Sequence, residues 1–163
     1  MSTVMLRSVD ETLLPRLLDL AVNEADPDEV MPPTPGPRGW TPERQAALPD
    51  HLRVPGTYAI LVDGEPAGVA DLSPAEAPGA AEVGIWLARN ARGEGHGTQA
   101  LHQLIEEARS QGLTALIAET TVANPAAVGA LKALGAKLWE DPETGAIHAT
   151  LRVGDSVRHR IGG

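Results

Sequence analysis

The sequence has 163 residues, of which 42% are hydrophobic, and its formal net charge at pH 7 is −9. This length fits a single domain that can bury a sizeable core. The acidic balance, with a pI of about 4.9, argues against nucleic-acid binding, because that function needs a basic face. The absence of cysteine excludes disulfides, thiolate zinc sites and cysteine nucleophiles. No apolar run approaches the length of a membrane-spanning helix, so we expect no membrane partner.

The N-terminal residues, MSTVMLRSVDETLL, carry charges where a secretory signal peptide has an apolar block. We therefore expect a cytoplasmic protein. Its negative surface would attract cationic partners, such as polyamines or amino sugars, and raise their encounter rate. The alternative interpretation is that the acidic charge only keeps the protein dispersed in water.

The first third of the chain predicts a strand at 3–9, a helix at 10–23 and a second helix that starts at Pro42. Between the two helices, residues 24–39 hold five prolines and four acidic residues, a composition typical of an irregular loop. We interpret 24–55 as one insertion between the first helix and the sheet.

The sequence of the remainder of the chain predicts six strands and two helices. The pair Asp63-Gly64, flanked by apolar runs, is a strong hairpin signal. The predicted order is a hairpin at 57–73, a strand at 82–88, a helix at 97–111, a strand at 113–122, a helix from Asn124 and a hairpin at 137–153. This order indicates an α/β (α+β) domain on a mixed sheet, with one parallel pair within 82–122.

The stretch RGEGHG lies where a predicted strand meets a predicted helix. A helix N-terminus has unpaired N–H groups and a partial positive charge, so it binds phosphate when the backbone can come close. No Cβ blocks that approach at Gly93, Gly95 and Gly97, because glycine has none, and Arg92 adds a cation. No Gly-Lys-Ser/Thr follows, and a strict GxGxxG is not met. The stretch predicts a pyrophosphate cradle, or else a turn that only connects two elements.

Arg92, Gly95 and Gly97 fill the pattern Arg/Gln-x-x-Gly-x-Gly/Ala after the fourth predicted strand, and the chain thereby resembles the GNAT superfamily of acyl-CoA-dependent N-acetyltransferases. The run EVGIWLARNARGEGHGTQAL resembles the branch that includes ribosomal-protein N-terminal acetyltransferases. A second family feature is an Asn that opens the next helix, a small residue three positions on and a Gly at its end. Asn124, Ala127 and Gly135 match it, and the resemblance covers about 57–152.

The resemblance implies a GNAT-like, mostly antiparallel central sheet of about six or seven strands with about four helices. It also implies a CoA slot between two splayed strands. The predicted organisation is a single acyltransferase domain at 1–153, with 24–55 on the acceptor side, and a C-terminal tail at 154–163. Many members of this superfamily dimerise, so a homodimer stays an open alternative.

The resemblance also implies which residues bind acetyl-CoA as co-substrate. The loop amides would bind the pyrophosphate, the end of the preceding strand would pair with the pantetheine arm, and Asn124 would contact the pantetheine or simply cap its helix. We expect the His96 side chain at the surface, with only its backbone used. The residues implied are Leu87, Ala88, Arg92, Gly93, Gly95, His96, Gly97, Thr98 and Asn124.

The implied chemistry is direct attack of a neutral amine on the thioester, which needs a base to deprotonate the ammonium. Glu82 is the first candidate for that base and Asp71 the second. Each has an alternative: Glu82 as a solvated carboxylate, and Asp71 as a group that holds a cationic substrate. The tyrosine that protonates the thiolate in many relatives is replaced by Leu131, so the resemblance does not identify the general acid.

The acceptor site should lie in the insertion, where Asp28 and Glu29 could meet a cation and Trp40 could stack on a ring. The alternative is a proline-stiffened loop with solvated acids and a packed Trp40. The histidines lack metal-ligand spacing, so we expect no metal. The expected function is acetyl transfer to a small cationic amine. A protein N-terminus as acceptor, a non-catalytic acyl-CoA-binding regulatory domain and a nucleotide-binding domain stay as alternatives.

Overall fold

A computed structural model describes residues 2–32, 35–121 and 125–154. These residues form seven strands, five α-helices and one 3-10 turn. In chain order the elements are β1 (Val4–Ser8), α1 (Leu14–Glu24), α2 (Pro27–Val30), α3 (Pro42–Leu52), β2 (Thr57–Val62), β3 (Glu65–Pro74), β4 (Ala80–Leu87), the 3-10 turn (Arg89–Ala91), α4 (His96–Ser110), β5 (Ala115–Thr121), α5 (Pro125–Ala133), β6 (Lys137–Glu140) and β7 (Ala146–Arg152).

The strands form one sheet in the order β1-β2-β3-β4-β5-β7-β6. β4 and β5 are parallel, whereas β1 with β2, β5 with β7 and β6 with β7 are antiparallel. The parallel ladder begins at Ala80 opposite Ala115 and ends at Val83 opposite Ala118. This confirms the predicted mixed, mostly antiparallel sheet, and β4 with β5 is the predicted parallel pair.

Two compact units divide the described chain, and each is built from two stretches. The first contains the residues up to Ala70 together with Ile85–Ala100, and the second contains Asp71–Gly84 together with the residues from Leu101 onwards. In the first unit, α1 and α3 cover the sheet through Leu17, Leu48 and Leu52, which are fully buried. Burial of each such leucine contributes about 1.5–3 kcal/mol.

The segment predicted as an irregular loop contains a four-residue helix, α2, which raises the helix count above the predicted four. Proline at the first helical position presets the backbone angle, and its missing N–H is not needed there. Asp26 and Glu29 complete a capping box, in which each side chain bonds the backbone N–H of the other. Local capping therefore outweighs the proline content that indicated a loop.

In the second unit, α4 presents a fully buried stripe of Leu104 and Ala108 to the core, as its 3.6-residue periodicity predicts. The predicted C-terminal signals are also confirmed. Gly112 follows α4 with a φ of +79°, and Gly135 follows α5 with a φ of +86°. Both glycines adopt the left-handed conformation that closes a helix, which few other residues adopt without strain.

Candidate active site

The predicted cradle lies at the junction of β4 and α4 in the first unit. Gly93 and Gly95 have φ values of +82° and +81°, and a Cβ at either position would meet no described atom within 4 Å. Their conformation therefore requires glycine, and the space that a Cβ would occupy is free of described atoms. α4 begins at His96 and has no acidic residue in its first turn, so no side chain there neutralises the positive end of the helix dipole.

Gly97 differs from the two glycines before it. It lies inside α4 without a positive φ, and a Cβ there would lie 3.5 Å from Cδ1 of Leu87, an ordinary van der Waals contact. Neither backbone strain nor crowding by protein atoms requires glycine here. The sequence alone did not separate this position from Gly93 and Gly95, because all three belong to one motif.

The Arg92 side chain donates hydrogen bonds to two residues of the first unit. Its Nε donates to the carbonyl oxygen of Leu87 at 3.0 Å, and its Nη2 donates to Oε2 of Glu29 at 2.8 Å. The backbone of Ala88 is also engaged, because its N–H donates to the carbonyl of Ala67 at 2.8 Å. Two backbone groups predicted to pair with pantetheine, the Leu87 carbonyl and the Ala88 N–H, therefore have protein partners. Their role toward pantetheine stays a prediction.

The expectation of a surface-exposed His96 side chain is wrong. His96 is only 5% exposed, and its Nδ1 has no hydrogen-bond partner among the described residues. Its Nε2 lies 3.6 Å from Oε2 of Glu94. The reason is helical periodicity: His96 precedes Ala100 and Leu104 by four and eight residues, and both are fully buried. That spacing could have revealed the burial, but the glycines on both sides suggested a loop.

The two candidate catalytic carboxylates lie in the second unit. Glu82 is exposed on β4 and Asp71 is half-buried on β3. A Cβ at Gly84 would lie 2.6 Å from Oδ2 of Asp71, so this carboxylate lies directly over Gly84. Side chains alternate along a strand, which places positions 82 and 84 on one face. Glu82 and Asp71 therefore share one face of the sheet.

Residues predicted to bind the acceptor have partners within the first unit. Asp28 Oδ1 lies 3.4 Å from Nη1 of the buried Arg44, and Glu29 pairs with Arg92. Trp40 packs beside the first unit's core and donates its Nε1–H to the carbonyl of Ala25 at 2.9 Å. No local sequence signal indicates these partners, since they lie 15 or more positions away. An acceptor role for these side chains stays a prediction.

Of two further predicted residues, one can be located. Asn124 lies outside the described residues. Leu131, at the position of the tyrosine found in many relatives, is a buried core residue of α5. Within 2–32, 35–121 and 125–154, no three His, Asp or Glu side chains are grouped so that they could hold a metal ion. No helix in that part of the chain has the length and apolar character needed to cross a membrane.

A sequence profile of the acetyltransferase (GNAT) family matches residues 21–136. The chain is also 36% identical over 86 residues to an L-methionine sulfoximine/L-methionine sulfone acetyltransferase of Pseudomonas paraeruginosa. That match covers 48% of this chain and 50% of the relative. The chain thus spans about half the length of the curated relatives that it matches.

Solved structures share the fold over nearly the whole chain. One is RimL, a ribosomal L7/L12 alpha-N-protein acetyltransferase in complex with coenzyme A, with a TM-score of 0.71, 22% identity and coverage of 93% of this chain and 94% of RimL. Another is SpeG, a spermidine/spermine N-acetyltransferase from Vibrio cholerae, with a TM-score of 0.69, 14% identity and coverage of 96% and 98%. The profile match, the cradle and the sheet topology agree, and the chain belongs to the acetyltransferase (GNAT) family.

Proposed function

We propose that this protein transfers an acetyl group from acetyl-CoA to the primary amine of a small cationic molecule. The observation that carries the proposal is the cradle before α4. It combines a helix N-terminus with no acidic residue in its first turn, two left-handed glycines where an added Cβ would meet no described atom within 4 Å, and a flanking arginine. A diphosphate fits such a site, because its oxygens can accept hydrogen bonds from the N–H groups of the first helical turn.

The reaction is a direct displacement. The neutral amine nitrogen attacks the thioester carbonyl carbon, a C–N bond forms and the C–S bond breaks. One proton leaves the nitrogen for a base, and the departing thiolate takes up a proton. A backbone N–H directed at the thioester oxygen would stabilise the negative charge that develops there.

Glu82 is proposed as the base and Asp71 as a second carboxylate that attracts the ammonium. Support comes from their common sheet face and from the exposure of Glu82, which leaves its carboxylate accessible to a substrate. Leu131 cannot donate a proton, so we propose that water protonates the thiolate. A thiolate is a tolerable leaving group near neutral pH, since its conjugate acid has a pKa of about 8.5.

The acceptor is proposed to be a polyamine or amino sugar, which suits a protein with a net charge of −9. A second candidate is the α-amine of a small amino-acid analogue. It is favoured by the 36% identity with the methionine sulfoximine acetyltransferase, which acts on such a compound. A protein N-terminus is the third class of acceptor to be tested.

The first test is calorimetric titration of acetyl-CoA into the wild type, Arg92→Glu and Arg38→Glu. The last variant makes the same charge change at an exposed loop residue outside the cradle. We expect micromolar or tighter binding by the wild type, and a loss of about 10-fold, or 1.4 kcal/mol, in Arg92→Glu only. Equal losses in both variants would indicate a general charge effect, and no binding by the wild type would refute the proposal.

The second test measures thiol release from acetyl-CoA with spermidine, an aminoglycoside, L-methionine sulfoximine and an alanyl peptide as acceptors. Turnover with one class assigns the substrate. Binding of acetyl-CoA without turnover across the panel would favour the non-catalytic acyl-CoA-binding domain. Tight ATP binding without a preference for CoA would instead favour the nucleotide-binding alternative.

A further inference from the structure

The Arg92 guanidinium is held by a carboxylate from α2. Oε2 of Glu29 accepts a hydrogen bond from Nη2 of Arg92 at 2.8 Å, and Oε1 of the same carboxylate accepts the backbone N–H of Asp26 at 3.0 Å. Glu29 therefore uses one oxygen to cap α2 and the other to bind the arginine of the cradle. No feature of the sequence had indicated this connection, because the two residues are 63 positions apart.

A second ion pair joins the same two segments at the same spacing. Asp26 lies three positions before Glu29, and Arg89 lies three positions before Arg92. Oδ1 of Asp26 accepts from Nη2 of Arg89 at 2.7 Å. The capped end of α2 is thus fastened by two ion pairs to the turn that leads into the cradle.

We infer that Glu29 competes with the CoA pyrophosphate for Arg92, so that CoA binding breaks the Glu29–Arg92 pair and loosens the attachment of α2. The inference rests on the proposed function, which places the pyrophosphate at this cradle. A pyrophosphate carries more negative charge than one carboxylate and also receives N–H groups from α4, so it is the stronger competitor. The Arg92 and Glu29 side chains are 42% and 37% exposed. Such exposed pairs change an equilibrium constant by only about 1.5- to 5-fold, so a bound ligand can replace them.

Loss of the Glu29–Arg92 pair has a consequence for the acceptor side of the site. α2 belongs to the segment 24–55, which we propose to form the acceptor side of the site. When CoA displaces Glu29, a carboxylate and its short helix become available to rearrange around the amine.

The variant Glu29→Gln isolates the competing charge. Glutamine at this position still accepts the Asp26 N–H, so the capping box of α2 is kept, whereas the ion pair with Arg92 is lost. Asp28→Asn is the matched control, because it removes the same charge from the same helix but breaks a pair with Arg44 instead. The measured quantity is the dissociation constant of CoA, by calorimetry, at about 0.05 M and 0.5 M salt.

We expect Glu29→Gln to bind CoA about 2- to 5-fold more tightly than the wild type. The fold-change in affinity caused by Asp28→Asn should be less than half of that caused by Glu29→Gln. The difference should shrink at the higher salt concentration, because the ion pair is exposed and screened. Weaker binding by Glu29→Gln would overturn the inference, since Glu29 would then position Arg92 for the phosphate. Equal effects of the two variants would also overturn it.

Hydrogen exchange provides an independent readout on the wild type. The amides of Glu29 and Met31 are bonded within α2, to the carbonyls of Asp26 and Pro27 at 3.0 and 2.9 Å. Saturating CoA should increase exchange at these amides while it protects the amides that follow Gly95. Added protection of α2 would contradict its loosening. A wild type that fails to bind CoA would refute the proposed function itself, whereas CoA binding without these changes would refute only the loosening of α2.

Discussion

The carboxylate of Asp71 on β3 fills the space in front of Gly84 on β4. A Cβ at Gly84 would lie 2.6 Å from Oδ2 and 3.0 Å from Oδ1 of Asp71, and real Cβ atoms essentially never lie closer than 3.0 Å to such an atom. Glycine inside a strand weakens it, because no side chain packs there. Its presence at this position is explained by the carboxylate that it accommodates, and Gly84 thereby sets the location of a candidate substrate-binding group.

Replacement of Gly84 by alanine should therefore displace Asp71. We expect a loss of about 1–3 kcal/mol in the free energy of unfolding, as for other overpacked sites, measured by urea denaturation. If Asp71 attracts the amine, the KM for the amine should rise as much as in Asp71→Asn. The control is Gly129→Ala in α5, where an added Cβ meets no described atom within 4 Å and should stabilise by up to about 1 kcal/mol.

A double-mutant cycle separates the clash from a general loss of packing. When Asp71→Ala is combined with Gly84→Ala, the carboxylate that the new Cβ would meet is gone. The double variant should then be more stable than the sum of the two single losses, by about 0.5–3 kcal/mol. Strict additivity would show that the two positions do not interact.

Glu82→Gln tests the proposed base. Loss of general base catalysis should lower kcat by about 100- to 10,000-fold while the calorimetric affinity for acetyl-CoA stays unchanged. Glu76→Gln removes the same charge from an exposed position in the β3–β4 connection and serves as the control. A kcat within about 2-fold of the wild type would identify Glu82 as an ordinary solvated carboxylate.

Much of the fold could be predicted because its signals are local. The Asp63-Gly64 hairpin, the apolar stripe of α4 and the glycines that close α4 and α5 all depend on neighbouring residues, and each was confirmed. The errors arose where the structure depends on residues that are distant in sequence or on local effects that oppose one another. Proline content indicated a loop at 24–39, but a capping box forms α2 there. The Glu29–Arg92 pair joins residues from separate elements, so no window of sequence contains it.

Gly95 and Gly97 should respond differently to alanine, although both belong to the family pattern. Gly95 has a φ of +81°, where alanine costs about 1–2 kcal/mol. Gly97 lies inside a helix at an ordinary contact distance from Leu87, and alanine there should be neutral or stabilise by up to about 1 kcal/mol. Urea denaturation of both variants and calorimetry with acetyl-CoA check this. We expect Gly95→Ala to lose about 10-fold in affinity, since a distorted loop misdirects its N–H groups. An equal loss of stability in Gly97→Ala would contradict the argument.

Finally, His96 is a buried polar residue that reduces stability. Its Nδ1 is buried without a hydrogen-bond partner among the described residues, and such a group costs about 1–3 kcal/mol. His96→Leu removes that atom and extends the apolar stripe of Ala100 and Leu104, so the free energy of unfolding should rise by about 1 kcal/mol. The proposed cradle would use the backbone N–H groups at this position, so affinity for acetyl-CoA should stay within about 2-fold. The exposed His102, changed to leucine in the same helix, should leave stability within about 0.5 kcal/mol. A destabilised His96→Leu that also loses acetyl-CoA affinity would show that the imidazole itself takes part in binding.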